Sequence, residues 1–180
     1  GCNGGTNGTA TVTAIGGTAG YNYSWSTTPA QTTSSVTGLS ASSYTVTVTD
    51  AKSCTQSNNV TLSQPSVLTV TMSNTNPGCN GGTNGTATVT TSGGTAGYTY
   101  SWSTTPAQTT SAVTGLSAIS YTVTVTDAKS CTQSNNVTLS QPTSMTATMS
   151  NTNPGCNGGT NGTATVTTSG GTAGYTYSWS

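Results

Sequence analysis

Along the chain, short apolar runs alternate with threonine and serine, residue by residue. A period of two is the pattern of β-strands, whose successive side chains point to opposite faces. In YTYSWS, Tyr98, Tyr100 and Trp102 share one face, and Thr99, Ser101 and Ser103 the other. In YTVTVTD, Tyr121, Val123 and Val125 read as inward, with Thr122, Thr124 and Thr126 outward. Ala87 and Val89 form the inner row of TATVTT, Val137 and Leu139 that of NVTLS, and Leu68, Val70 and Met72 that of SVLTVTM. The breaks NGGTNG, SGGTAG and TGLSA separate these runs, and TDAKSCT reads as a hairpin turn although it has no glycine. No stretch carries helical spacing. The pattern predicts an all-β chain with about seven short strands per unit, the layout of a two-sheet antiparallel sandwich of immunoglobulin-like (PKD-like or fibronectin-III-like) type.

The unit is a repeat. Cys2, Cys79 and Cys156 each sit in GCNGGTNGTATVT, at an offset of 77 residues, and Cys54 and Cys131 share DAKSCTQSNNVTLSQP at the same offset. Residues 1–77 and 78–154 differ at nine positions, 14, 15, 22, 35, 42, 66, 67, 68 and 70, without insertion. Pro65 and Pro142 mark the seams. The expected organisation is a sandwich over 1–65 lacking its first strand, a complete sandwich over 66–142, and the first three strands of another over 143–180. Two periods with out-of-phase ends read as a window on a longer array, arranged as a rod or filament.

Composition narrows the function classes. The charged residues are Asp50, Lys52, Asp127 and Lys129, with no net charge and no histidine. Neither nucleic acid nor an anionic membrane finds an electrostatic footprint here. No apolar run approaches the ~20 residues of a membrane helix, so membrane insertion is not expected in this segment. A Thr- and Val-rich, charge-poor chain favours strands over disorder.

Aromatic residues fall into two places. One is the Tyr-x-Tyr-x-Trp strand: Tyr21, Tyr23 and Trp25; Tyr98, Tyr100 and Trp102; Tyr175, Tyr177 and Trp179. It reads as core, because it supplies most of the large apolar area available; a sugar-stacking platform is the alternative. The other is Tyr44 or Tyr121, five residues after Leu39 or Leu116, laid out as a tyrosine corner. Trp25, Tyr44, Trp102 and Tyr121 are the expected structural core.

No catalytic constellation is recognisable. There is no His base and no carboxylate pair, and the abundant hydroxyls lack an activating group. One carboxylate per unit is poor for a calcium site of 6–8 oxygens, so Asp50 and Asp127 read as turn-fixing residues. No cofactor or metal is expected. Two cysteines per unit, without CxxC spacing, point to disulfides and an oxidising, extracellular setting. The candidates are Cys2, Cys54, Cys79, Cys131 and Cys156.

The combination C-N-G-G-x-N-G, G-G-T-x-x-Y-x-Y-S-W-S, G-L-x-x-x-x-Y-T-V-T-V-T-D and a following Cys resembles the SprB-type repeats of Bacteroidetes surface proteins. Gly20, Gly97 and Gly174 stand where that family often has proline, and DAKSC replaces its common D-A-N-G-C turn. The resemblance implies a very large adhesin exported by the type IX system and displayed on the cell surface, as in gliding bacteria, with these repeats as its stalk. Expected partners are neighbouring repeats, other copies in a filament, and surface or glycan ligands at a distal tip. The alternative is direct binding of glycan or ice through the aromatic stripe or Thr-x-Thr rows. In an immunoglobulin-like sandwich, Cys79 lies in the loop between the first two strands and Cys131 begins the last strand, at opposite ends. Two pairings remain open: a staple between repeats, Cys2–Cys131, with Cys79 bonded to a cysteine beyond residue 180; or bonds within repeats, Cys2–Cys54 and Cys79–Cys131.

Overall fold

The computed structural model describes all 180 residues, and it contains strands and turns but no helix. The strands are β1 (Gly8–Thr11), β2 (Asn22–Trp25), β3 (Ser35–Leu39), β4 (Ser43–Thr49), β5 (Thr55–Thr61), β6 (Thr69–Thr75), β7 (Gly85–Ser92), β8 (Thr99–Trp102), β9 (Ala112–Leu116), β10 (Ser120–Thr126), β11 (Thr132–Thr138), β12 (Thr146–Thr152) and β13 (Thr163–Ser169). They group into two compact units. One comprises Gly1–Thr69, Thr91–Tyr98 and Thr126–Gln133; the other comprises Val70–Thr90, Thr99–Val125 and Ser134–Ser180.

In the first unit, β1 pairs with β3, and β2, β4 and β5 form a second sheet in that order. The two sheets bury one cluster: Ala10, Val36 and Leu39 from the first, Trp25 and Val46 from the second. Period-two alternation explains the sidedness, and the register Ala10↔Val36 and Trp25↔Val46 brings the inward rows level. Gly8 opens β1 because nothing larger fits: a Cβ there would meet Leu62 at 2.5 Å and the Leu39 carbonyl at 2.6 Å. A bulge follows between Gly8 and Thr9.

The second unit contains the fuller version. Here β6-β7-β9 faces β11-β10-β8, and the core is Ala87, Val89, Val113 and Leu116 against Trp102, Tyr121, Val123, Val125 and Leu139. The complete repeat therefore has six strands in two sheets of three, where about seven were expected. The reading of TGLSA as a break is corrected: Val113 and Leu116 are buried strand residues of β9, and Gly115 takes φ +76° within it. Residues 143–180 form the hairpin-like pair β12-β13 and no third strand. Tyr175–Trp179 repeats the β8 sequence, but the chain holds no third copy of the SYTVTVT strand that β2 and β8 pair with.

Candidate functional site: the cysteine loops and their clamps

In the first two copies the aromatic stripe is used inside the sandwich; in the third, Tyr177 and Trp179 are exposed, contrary to the core reading. Trp25 and Trp102 are 3% and 2% exposed. Each indole Nε1 donates at 2.9 Å to a carbonyl eight residues on, that of Thr33 or Thr110. A buried indole with its N–H satisfied offers no face to a sugar. The first tyrosine of each stripe lies outside its strand. Tyr21 and Tyr98 donate their hydroxyls to the carbonyls of Gly16 and Gly93, at 2.5 and 2.6 Å, and Tyr175 does the same to Gly170. They pin the GGTAG loop. The corner tyrosines bond the backbone four residues upstream: Tyr44 donates to the Ser40 carbonyl at 3.1 Å, and the Tyr121 hydroxyl accepts from Ser117 N at 3.1 Å. Tyr121 is buried; Tyr44 is half-buried.

The DAKSC turn is organised around its aspartate. The Asp127 carboxylate accepts N–H bonds from Thr95 (2.8 Å), Lys129 (2.8 Å) and Cys131 (2.9 Å). Asp127 N closes the hairpin on the Cys131 carbonyl at 2.9 Å. Burial alone would raise the Asp127 pKa, but the three N–H donors outweigh it and hold the group below its ordinary value of 3.8. Asp50 receives the equivalent bonds from Thr18, Lys52 and Cys54, which lower its pKa, the Thr18 N–H contributing most. The lysines thus serve through their backbone N–H. Ser53 and Ser130 adopt φ +65° and +62°, a conformation that costs a non-glycine residue of this kind roughly 1–2 kcal/mol. Each carboxylate is committed to three donors, and no three His, Cys, Asp or Glu side chains converge anywhere.

Cys131, held by this turn, is bonded to Cys2, with the Cα atoms 5.6 Å apart and a separation of 129 positions in sequence. Cys54, Cys79 and Cys156 are free and exposed. The staple is the pairing formed; Cys2–Cys54 and Cys79–Cys131 are not. In the chain-entropy account a loop of this size constrains the unfolded chain by about 5 kcal/mol.

Sequence reasoning missed a clamp beside the staple. Asn3 Nδ2 donates to the Pro65 carbonyl at 2.8 Å, and Gly4 N donates to Gln64 Oε1 at 2.7 Å. The second unit holds the same device: Asn80 Nδ2 to the Pro142 carbonyl at 3.1 Å, and Gly81 N to Gln141 Oε1 at 2.8 Å. The signal was present in the recurring C-N-G and S-Q-P triplets, but nothing in either triplet alone says that they meet. Both cysteine loops are also closed internally, by Gly5 N on the Cys2 carbonyl and Gly82 N on the Cys79 carbonyl, each at 3.0 Å.

The geometry defines a class: tandem all-β sandwiches of immunoglobulin-like type, with hydrogen-bonded and covalent ties at recurring loops. Residues 1–29, 71–106 and 148–180 match the SprB repeat family, and the chain belongs to it. Such repeats are typically non-enzymatic structural domains, and membership places the chain among repeat regions of cell-surface adhesin type. Among solved structures the chain is similar to an amphioxus IgVJ-C2 molecule, at 12% identity and a TM-score of 0.35 over 76% of this chain and 97% of that one. No curated protein sequence matches.

Proposed function

We propose that these repeats are the structural stalk of a very large bacterial cell-surface adhesin or extracellular filament. They space an adhesive tip from the cell, which would be exported by the type IX route and serve adhesion or gliding. The observation that carries this reading is the staple. It joins a cysteine of one 77-residue repeat to a cysteine of the next, and an Asn/Gln clamp inside each repeat holds its first cysteine loop. A bond of that kind ties successive repeats to one another, and near-identity of the repeats follows when each module needs only to fit its neighbours. Partners on this reading are further repeats and further copies.

The outward hydroxyls support the same conclusion. Thr47 pairs with Ser57 and Thr124 with Ser134, each at 2.9 Å, and Ser43 pairs with Thr61 and Ser120 with Thr138, at 2.8 and 2.6 Å. A hydroxyl spent across the ladder presents less to ice or glycan than a free row would. Solution scattering on chains of two, four and six repeats tests the stalk. The radius of gyration should rise in proportion to repeat number; growth as the cube root, the behaviour of a globule, would refute it.

A further inference from the structure

Tension in a chain follows the shortest covalent path. The Cys2–Cys131 bond closes a loop of 129 residues, and that loop contains β1 to β10 with both buried indoles. We propose that the staple is a load bypass. A pull on the two ends enters at Gly1, crosses the disulfide, and continues from Cys131 to Ser180. Residues 3–130 then carry none of it.

The placement of the two cysteines supports this function. Cys131 immediately precedes β11, and the Asp127 turn fixes it by the bond to its backbone N–H. Cys2 sits in a loop clamped to Gln64 and Pro65. Both sulfurs therefore leave from anchored backbone. The first loaded strand is β11, which pairs with the unloaded β10, so its ladder is what resists. Cys79 occupies an identical loop with an identical clamp. Cys131 and Cys156 are 25 residues apart. In a run of such repeats, bonds at the same spacing would leave only that 25-residue segment loaded for every two repeats. The inference concerns covalent connectivity and does not depend on the repeats acting as a spacer.

Single-molecule stretching of the 180-residue chain between terminal fusion handles tests it, with Cys54, Cys79 and Cys156 first alkylated. At about 3.6 Å per extended residue, the oxidised chain should reach a final contour near ~180 Å, from roughly 50 loaded residues. After reduction with a phosphine, the contour should rise to about 640 Å. Bonds within the repeats would instead hide two loops and give about 270 Å before reduction. A value of that size, or equal contours in the two states, overturns the proposal. Cys131→Ser should give the full contour without reductant, and because the final contour is read from a stretched chain, the result stands whether or not the variant folds. Failure of the scattering test would leave these lengths unchanged, so the two readings fail separately.

Discussion

Residues 1–65 and 78–142 are nearly the same sequence in two structural circumstances. In the later copy β7 pairs with β6 as well as β9, and in the earlier copy β1 pairs with β3 alone. In the later copy Val89 and Val125 are buried and Asp127 is sealed. Their counterparts Val12, Val48 and Asp50 are half-buried. Beside them Ile15, 92% exposed, borders an open groove of about 460 Å³ lined also by Val12, Ala14, Tyr21 and Val48. Yet Trp25, Val36, Leu39 and Val46 are as well buried as Trp102, Val113, Leu116 and Val123. One strand thus separates two layers of the core. A central cluster is built by the strands both copies share, and a flank is completed only where the first strand is present.

The largest effect that would break this comparison lies at the flank. Val125 is fully buried, so Val125→Ala removes two packed methyl groups and leaves a cavity, at a cost of about 2–3 kcal/mol. Val48→Ala at the half-buried equivalent should cost about 1 kcal/mol. Hydrogen exchange of the β10 and β4 amides separates the two. Equal losses of protection would mean that β6 does not complete the flank.

That layering explains what the sequence made legible. Alternation within YTVTVTD and TATVTT located β10 and β7 and their inward rows, because a strand with one wet face has little freedom to do otherwise. The indoles were legible as core on area alone. β9 was not, because Gly115 and Leu116 look like a turn until Val113 and Leu116 are seen to meet Ala87 and Gly85 across the ladder. The difference between the two copies was only partly legible. Loss of a first strand was expected over 1–65, but its graded consequence for Val48, Asp50 and Tyr44 depends on packing that no local pattern encodes. The staple is a stronger case. Spacing alone left two pairings standing, and local devices do not choose between them, because the aspartate turn and the Asn/Gln clamp recur at Cys54 and Cys79; only the three-dimensional approach of Cys2 to Cys131 decides it.

A smaller effect comes from acid. Asp50 and Asp127 are the only carboxylate side chains, and both titrate below their ordinary 3.8 in the folded chain. A depressed folded value means that the aspartates contribute stability above the unfolded pKa, and that it is lost as pH falls through the folded one. Melting temperature should therefore be flat from pH 5 to pH 7 and fall once pH drops below about 4. The comparison sharpens if the DAKSC hairpin around buried Asp127 loses protection differently from its half-buried counterpart at Asp50. Asp127→Asn should remove the acid response of its own hairpin alone. A response that persists in a variant carrying both Asp50→Asn and Asp127→Asn would assign it elsewhere.

The smallest effect sits at one of the nine differing positions. Thr91 in the later copy has a hydroxyl shut off from water with no hydrogen-bond partner, while the earlier copy carries Ala14 there. An unsatisfied buried hydroxyl costs about 1–3 kcal/mol, and the strand preference of threonine over alanine returns part of that. Thr91→Ala should therefore stabilise by about 0.5–1 kcal/mol, read as a shift in the urea midpoint of the later copy. The reverse change, Ala14→Thr, should be near neutral, since Ala14 lines the open groove and an added hydroxyl there reaches water. If Thr91→Ala destabilises, or if Ala14→Thr costs as much as Thr91→Ala gains, the two positions are equally enclosed. The flank would then be closed in both copies by something other than a first strand.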